Sequence, residues 1–301
     1  IRNDKLRKAF TIHPLLVGGN PYSTTSIYAL ILFLERKWGV HYSMGGTGNI
    51  INALEKLMQE VGIKIIKGKE VLKINHKNKN VKSIILENNI EIKVDSLVCN
   101  ADPPKVYDEL IYPKIQNKLF KLKCNRLKYS MGLYVFYFGT KKKYENIEHH
   151  TIYLGKSHRK LLNKIFYTKE LDDDFSYYLH RPSATDPDMA PAGKDCFYVL
   201  VPVPNNQSKI NWKSQGYDFK KKVIKKLEET SMPKLSKYIE AEIFISPDYF
   251  EEKLNTKHGS GFSIEPIFTQ SAYFRFHNKS ELLNNLYFVG AGAHPGAGIP
   301  G

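Results

Sequence analysis

The sequence predicts an α/β protein built from two interleaved modules. Three observations lead to this class. A helical stripe is followed by short β-rich runs, longer apolar strands occupy the middle of the chain, and a late apolar strand ends in a glycine-rich string. With 301 residues, 42% of them hydrophobic, the chain can form two ordinary domains with buried cores. The expected segments are 1–40, 41–104, 105–279 and 280–301, and the second and fourth form the α/β module.

The first elements are predicted to be helices. Residues 26–38 are apolar almost all round, which is typical of a helix that is buried or faces a membrane, and Gly39 ends it. The longest apolar stretch, Ile27–Leu34, is much shorter than the roughly 20 residues that span a bilayer, so no transmembrane helix is expected. A second helix follows the Gly45-Gly46-Thr47-Gly48 string, because apolar residues recur at helical spacing from Ile50 to Val61.

Strands dominate the rest of the prediction. Four short β-rich runs separated by Lys- and Asn-rich turns indicate a meander of hairpins: Ile63–Ile66, Val71–Ile74, Val81–Leu86 and Ile90–Val94. A short buried strand is expected at Leu97–Cys99. Later strands are expected at Ser130–Gly139, Phe175–His180, Cys196–Val203 and Asn285–Val289, and a basic amphipathic helix is expected at Phe219–Thr230.

Charge and cysteine content exclude some classes of protein. The formal net charge is +15, but only seven of the 45 cationic residues are arginine, which argues against base recognition in nucleic acid. The lysine excess indicates either attraction to an anionic surface or a lysine-rich solvated exterior. Three cysteines without C-x-x-C spacing exclude a disulfide framework and a cysteine-based zinc site, and they fit a reducing compartment.

The ten histidines show no metal-ligand spacing. His149 and His150 are adjacent, and neighbouring side chains in a strand point to opposite faces of the sheet. No metal site is therefore predicted.

Glycines carry the clearest chemical signal. The string from Gly290 to Gly301 holds five glycines directly after an apolar strand, where backbone N–H groups can approach a phosphate closely. Pro295 stands where the third glycine of the dinucleotide-binding pattern G-x-G-x-x-G would be. The glycine string is therefore compatible both with a nucleotide site and with a tight structural turn. Asp4 and Arg7 are spaced to meet on one helix face, and the residues alone indicate a surface ion pair.

Several strings, in order along the whole chain, resemble the bacterial-type phytoene desaturases, which are amine-oxidase-like flavoproteins. The strings are His13–Pro21, Thr25–Leu30, Leu34–Val40, Gly45–Gly48, Asp174–Pro182, Ala184–Pro187, Tyr198–Leu200, Gly261–Pro266, Thr269–Ala272, Phe274–Arg275, His277–Asn278 and Val289–Gly301. One departure is Phe276, where the family commonly has proline.

The resemblance implies a Rossmann-like FAD-binding domain interleaved with a sheet-and-helix substrate domain. Segments 41–104 and 280–301 would belong to the FAD domain, 105–279 to the substrate domain, and 1–40 to the helical, membrane-facing part of the latter. The family's G-x-G-x-x-G unit would lie before Ile1 and a further helix beyond Gly301, as in a fragment. The implied reaction is FAD-dependent desaturation of phytoene toward lycopene by hydride transfer to the flavin. The alternative is a related carotenoid flavoenzyme: an isomerase, an oxygenase or a hydroxycarotenoid desaturase.

The resemblance also implies site residues. Gly290, Ala291, Gly292 and Gly301 match the loop over the FAD pyrophosphate and ribityl chain, and Val71 matches the position whose backbone meets the adenine. Asp4 and Arg7 match a pair near the flavin end of the cavity, where Arg7 would stabilise reduced anionic flavin and Asp4 would take a proton. The implied partners are phytoene, partly desaturated carotenes and an anionic membrane surface, with no nucleic acid. The expected location is peripheral, on the cytoplasmic side of the cell membrane.

Overall fold

The chain folds into two compact units that alternate along the sequence. The structure, a computed structural model, describes residues 2–115 and 117–298. Unit 1 consists of Ile1–Phe33, Ile66–Met131 and Phe250–Gly301, and unit 2 consists of Leu34–Ile65 and Gly132–Tyr249. The boundaries predicted for the cofactor-binding and substrate-binding segments stay predictions, because a compact unit need not coincide with a binding domain.

Helices and strands are both short for the most part. The helices are α1 (Asp4–Phe10), α2 (Ile12–Leu16), α3 (Ala29–Trp38), α4 (Thr47–Glu60), α5 (Pro103–Lys105), α6 (Lys118–Asn125), α7 (His158–Asn163), α8 (Trp212–Thr230), α9 (Leu235–Tyr238) and α10 (Pro247–Glu252). The strands are β1 (Val71–Lys77), β2 (Asn80–Leu86), β3 (Glu91–Lys93), β4 (Leu97–Cys99), β5 (Ile111–Tyr112), β6 (Gly132–Thr140), β7 (His150–Tyr153), β8 (Tyr177–His180), β9 (Asp195–Val203), β10 (Ile239–Ile245) and β11 (Leu286–Phe288).

Unit 1 contains a four-stranded sheet and a two-stranded sheet. The larger sheet has the order β3-β2-β1-β5, in which β1, β2 and β3 form an antiparallel meander and β5 runs parallel to β1. In the smaller sheet β4 and β11 are parallel, with Leu97 opposite Leu286 and Cys99 opposite Phe288. Ile74 of β1 and Leu286 and Phe288 of β11 belong to one buried apolar cluster. Three of the four strands predicted for the meander are confirmed, as are the short strands predicted at Leu97–Cys99 and within Asn285–Val289. The strand at Leu97–Cys99 is half-buried to exposed, and not buried as predicted.

Two sequence-based boundaries are wrong. Residues 63–66 form no strand, although their β-branched side chains predicted one, because no neighbouring strand supplies a hydrogen-bonded partner within the described chain. Helix α8 begins at Trp212 rather than at Phe219. It begins earlier because the Asn211 side chain accepts a hydrogen bond from the amide of Ser214 at 3.3 Å and caps the helix there.

Unit 2 is organised around a five-stranded antiparallel sheet of order β10-β6-β9-β8-β7. Side chains alternate between its faces. One face is buried under α8, where the Phe219 ring centroid lies 4.9 Å from that of Tyr134 and the Tyr134 hydroxyl donates to the Gly216 carbonyl at 2.9 Å. The opposite face carries tyrosines that are not fully buried, including Tyr137 and Tyr198, which are register partners. The cavity described below lies against this second face.

Apolar residues of the predicted helices lie at the surface. In α3 and the turn before it, Ile27, Leu30 and Phe33 are 56%, 52% and 56% exposed, and in α4 Ile51 is 62% exposed. Among the described residues, no helix combines the length and the apolar content that a membrane crossing requires.

Candidate functional site

The first candidate site lies at the carboxyl ends of β4 and β11 in unit 1. Parallel neighbours of this kind place ligand-binding loops side by side. Gly290 follows β11 with φ +95°, and a Cβ there would lie 2.2 Å from Oδ1 of Asn100, which follows β4. A Cβ on Gly292 would lie 2.4 Å from Cδ of Pro103. Both glycines therefore allow the two loops to approach each other closely.

The buried guanidinium of Arg275 holds the glycine loop in place. Arg275 is 2% exposed, and its Nε donates to the Ala291 carbonyl at 3.2 Å, while Nη2 donates to the same oxygen. Nη1 donates to the carbonyls of Ile264 at 3.4 Å and Gln270 at 3.3 Å. Burial lowers the pKa of Arg275. One cation thus connects the loop after β11 to the segment before it by bonds to the backbone.

A buried carboxylate supports the loop from the β4 side. Asp102 is 8% exposed; its Oδ1 accepts a hydrogen bond from the Ser263 hydroxyl and its Oδ2 accepts one from the Lys257 amide at 2.9 Å. Burial raises the pKa of Asp102, and these two hydrogen bonds and the charge of Arg275 oppose that rise. Sequence reasoning assigned no role to Asp102 or Arg275. Arg275 stands in one of the strings that resemble the family, and Asp102 stands in a proline-rich string, but the burial of their side chains cannot be read from the sequence.

Gly290, Ala291 and Gly292 lie together in the loop after β11, where a glycine backbone can come close to a phosphate group. A side chain at Gly290 or Gly292 would overlap Asn100 or Pro103 of the loop after β4. Gly301 lies outside the described residues. The spacing G-x-G-x-x-G does occur at Gly296, Gly298 and Gly301, but Gly296 follows a turn and not a strand.

The other predicted site residues lie in different elements. Val71 begins β1, where it is half-buried and pairs with Leu86. Asp4 and Arg7 lie in α1, where Oδ1 of Asp4 is 3.4 Å from Nη2 of Arg7, and their side chains are 68% and 60% exposed. The ion pair indicated by their spacing is therefore confirmed. The catalytic and cofactor-binding roles assigned to these residues stay predictions.

The second candidate site is a cavity of about 780 Å³ in unit 2. It lies over the tyrosine-bearing face of the sheet, next to the loop that precedes α4. The amide of Gly45 in this loop donates to the carboxylate of Asp186 at 2.5 Å, which fixes the loop beside the sheet. Most of the wall is aromatic or aliphatic, including Tyr42, Tyr137, Tyr178, Tyr198, Met189 and Ile243. Such a wall suits a ligand with few polar groups.

A histidine cluster borders this cavity. His150 of β7 and His180 of β8 are register partners, so their side chains lie on the same face, and both line the cavity. Sequence alternation predicted that His149 would point away from His150. It does not, because His149 precedes the first residue of β7, and one ring nitrogen from each of the three histidines lies within 4.8 Å of the others.

Comparison with known proteins identifies the family. Residues 1–301 match the model of the family described as flavin containing amine oxidoreductase. The lycopene-forming phytoene desaturase of Pantoea ananas is 39% identical over 304 residues, which cover 100% of this chain and 61% of that protein. The neurosporene-forming phytoene desaturase of Rhodobacter capsulatus is 39% identical over 306 residues, covering 100% and 58%. Among solved structures, an oxidoreductase from Methanosarcina mazei has a TM-score of 0.63 at 18% identity, covering 91% of this chain and 56% of that chain.

These comparisons confirm the predicted fold class and the resemblance to the bacterial phytoene desaturases. The similarity to the solved structure concerns the fold alone, because the identity is low. The flavin cofactor expected from the sequence is confirmed at the level of the family. The chain spans about 60% of the length of the curated relatives that it matches. Since the family model matches the whole chain and the fold agrees with it, the chain belongs to the flavin-containing amine oxidoreductase family.

Proposed function

We propose that the protein is an FAD-dependent carotene desaturase that converts phytoene and partly desaturated carotenes toward lycopene. The observation that carries the proposal is the 39% identity to phytoene desaturases, which extends over the whole of this chain. Two relatives of equal identity are named for different products, lycopene and neurosporene. The proposal therefore concerns the substrate class and the reaction, and not the number of double bonds introduced.

The cavity of unit 2 supports a hydrocarbon substrate. Phytoene has no polar group, so it must be held by shape and by apolar contact. The tyrosine rings of the sheet provide flat walls for a chain of this kind, and Met189 and Ile243 add aliphatic surface. These side chains would orient the bond that reacts and keep water away from it.

The glycine loop supports FAD as the cofactor. The amides of Gly290, Ala291 and Gly292 would meet the pyrophosphate, Gly301 would contribute to the same loop, and the backbone of Val71 would meet the adenine. Arg275 and Asp102 would act on this site indirectly, by holding the loop. When bound, the flavin supplies a hydride acceptor, which no side chain can provide.

Asp4 and Arg7 are the proposed polar groups of the reaction. Forming a C=C bond from a saturated C–C bond releases a hydride and a proton, and the exposed Asp4 carboxylate could accept that proton. Arg7 would place positive charge where negative charge develops on hydride transfer. Nζ of Lys8 also lies 3.4 Å from the Asp4 carboxylate. A substitution of Lys8 can therefore serve as the control for a substitution of Arg7.

An anionic membrane surface is the proposed location, on the cytoplasmic side and peripheral. The carotene substrate partitions into lipid, so the protein must reach it there. The exposed apolar residues of α1, α3 and the turn before α3, which include Leu6, Phe10, Ile27 and Leu30, could enter the interface. The net charge of +15 would add attraction to anionic headgroups.

The proposal can be tested by pigment analysis in a bacterial host that accumulates phytoene. Expression of the protein should convert colourless phytoene into coloured, more conjugated carotenes. Ile243 lines the cavity, yet it is 65% exposed, so Ile243→Glu should leave the fold intact while placing a charge in the substrate's path. The control is Tyr217→Glu, at an exposed position of α8 on the opposite face of the sheet.

We expect Ile243→Glu to lower the yield of coloured carotene by at least about tenfold at equal protein level, because a bound hydrocarbon would cover the new carboxylate without offering it a hydrogen-bond partner. Tyr217→Glu should retain wild-type yield. Phytoene that stays unchanged with the wild-type protein, accompanied by altered downstream carotenoids, would instead indicate an isomerase, an oxygenase or a hydroxycarotenoid desaturase.

A further inference from the structure

Three histidine rings meet at one edge of the sheet in unit 2. The pairing of His150 with His180 places two of them side by side, with ring centroids 5.4 Å apart. The amide of Arg181 donates to the His149 carbonyl at 2.9 Å, which fixes the third histidine at the entry to β7. The cluster is thus held by backbone pairing and does not depend on a loop alone.

Two of the three histidines have a hydroxyl group within hydrogen-bond distance of one ring nitrogen. Nδ1 of His149 is 2.5 Å from the Thr185 hydroxyl, and Nδ1 of His150 is 2.6 Å from the Tyr178 hydroxyl. Histidines that bind metal ions usually have such a partner on the nitrogen that does not bind, because it fixes the tautomer and the ring orientation. The Nε2 atoms of His149 and His180 face each other at 2.8 Å.

We propose that His149, His150 and His180 form a binding site for a divalent transition-metal cation such as Zn²⁺. Three imidazoles without a carboxylate or a thiolate select Zn²⁺, Cu²⁺ or Ni²⁺ over Mg²⁺ and Ca²⁺. Two nitrogens bound tetrahedrally to one Zn²⁺ lie about 3.3 Å apart. The observed separations bracket this value: Nε2 of His149 and Nε2 of His180 are 2.8 Å apart, and one nitrogen from each of the three rings lies within 4.8 Å of the others.

The position of the site makes it accessible to a cation. His150 is exposed, and His149 and His180 are half-buried. Because His150 and His180 line the cavity of unit 2, a fourth coordination position would face its interior. This inference concerns unit 2 alone and stands whether or not the protein desaturates carotenes.

Isothermal titration of the metal-free protein, carrying no histidine tag, with Zn²⁺ at pH 7 tests the proposal. We expect one Zn²⁺ per chain and no heat of binding with Mg²⁺ under the same conditions. His180→Ala and His149→Ala should each weaken Zn²⁺ binding by at least about tenfold. His277→Ala, which alters a half-buried histidine of unit 1, should bind as the wild type does.

Cobalt gives a second readout that does not depend on heat. Co²⁺ added to the wild-type protein should produce the visible absorption of a four-coordinate site, and His180→Ala should abolish that absorption while its circular dichroism stays that of the wild type. The proposal is overturned if no saturable Zn²⁺ binding occurs. It is also overturned if His180→Ala folds and binds Zn²⁺ as tightly as His277→Ala does.

Discussion

At the scale of single residues, the glycine loop depends on charges that are buried beside it. Arg275 makes its hydrogen bonds to backbone carbonyls, and the described structure gives it no direct carboxylate partner. A guanidinium suits this position because its five donors lie in one plane and can serve several carbonyls at once. Asp102 adds a nearby negative charge that compensates part of the cost of burying the cation.

Replacing Arg275 should therefore destabilise the protein. Arg275→Met keeps the length of the side chain but leaves the carbonyls of Ala291, Ile264 and Gln270 without donors. Each buried acceptor without a partner costs about 1–3 kcal/mol, so we expect the free energy of unfolding to fall by about 3 kcal/mol in urea denaturation. The control Arg126→Met, at an exposed position, should stay within about 0.5 kcal/mol of the wild type. Equal stability of the two variants would show that the carbonyls find other partners.

The proposed role of Arg7 can be separated from that of an ordinary ion pair. Arg7→Ala should lower the turnover of phytoene while leaving the bound flavin absorbance nearly unchanged, because a cation that meets developing charge acts on the transition state and not on cofactor affinity. Lys8→Ala removes the other cation that contacts Asp4 and should retain turnover. If both variants behave like the wild type, Asp4 and Arg7 form only a surface ion pair.

At the scale of elements, the strands that could be predicted are those with apolar runs and hydrogen-bonded partners. Apolar runs identified β6 and β9, and β11 was predicted within one residue at each end. Residues 63–66 are also rich in apolar, β-branched side chains, but no strand of the described residues pairs with them. Composition alone does not show which runs will find a partner strand. The histidine cluster was missed for a related reason: whether His149 lies inside β7 or just before it decides where its ring points, and strand ends are poorly defined by sequence.

The pairing of β4 with β11 predicts a steric role for Gly292. In Gly292→Ala the new Cβ would lie 2.4 Å from Cδ of Pro103 and 3.0 Å from the Asp102 carboxylate, and a proline ring cannot move aside freely. We expect a loss of about 1–3 kcal/mol in the free energy of unfolding and a lower flavin content after desalting. Gly48→Ala is the matched control, because a Cβ there meets nothing within 4 Å. This control should be neutral or more stable by up to about 1 kcal/mol, since alanine is favoured over glycine in a helix. Equal losses in the two variants would contradict the steric argument.

At the scale of the whole molecule, the two candidate sites belong to different units of the chain. The glycine loop is built by unit 1, and the apolar cavity is built by unit 2. The glycines of the loop after β11 led to the prediction of a nucleotide site there. The cavity of unit 2, by contrast, arises only when β6, β8, β9 and β10 pair. Its lining residues are spread over much of the chain and have no common motif. The exposed apolar residues of α3 and the cationic excess are properties of the molecular surface, and both bear on the membrane proposal.

Binding to lipid vesicles tests that proposal. The protein should sediment with vesicles that contain anionic lipid at low salt, and binding should weaken as salt is raised, because each lysine near the surface contributes about 1 kcal/mol that salt screens. The double variant Ile27→Ser with Leu30→Ser removes apolar surface without changing the charge, and we expect it to need about tenfold more lipid for half-maximal binding. The control double variant, Tyr217→Ser with Leu254→Ser, removes exposed apolar side chains outside α1–α3 and should bind as the wild type does. Equal loss in both variants would indicate nonspecific adsorption, and no loss in either would restrict the membrane interaction to charge alone.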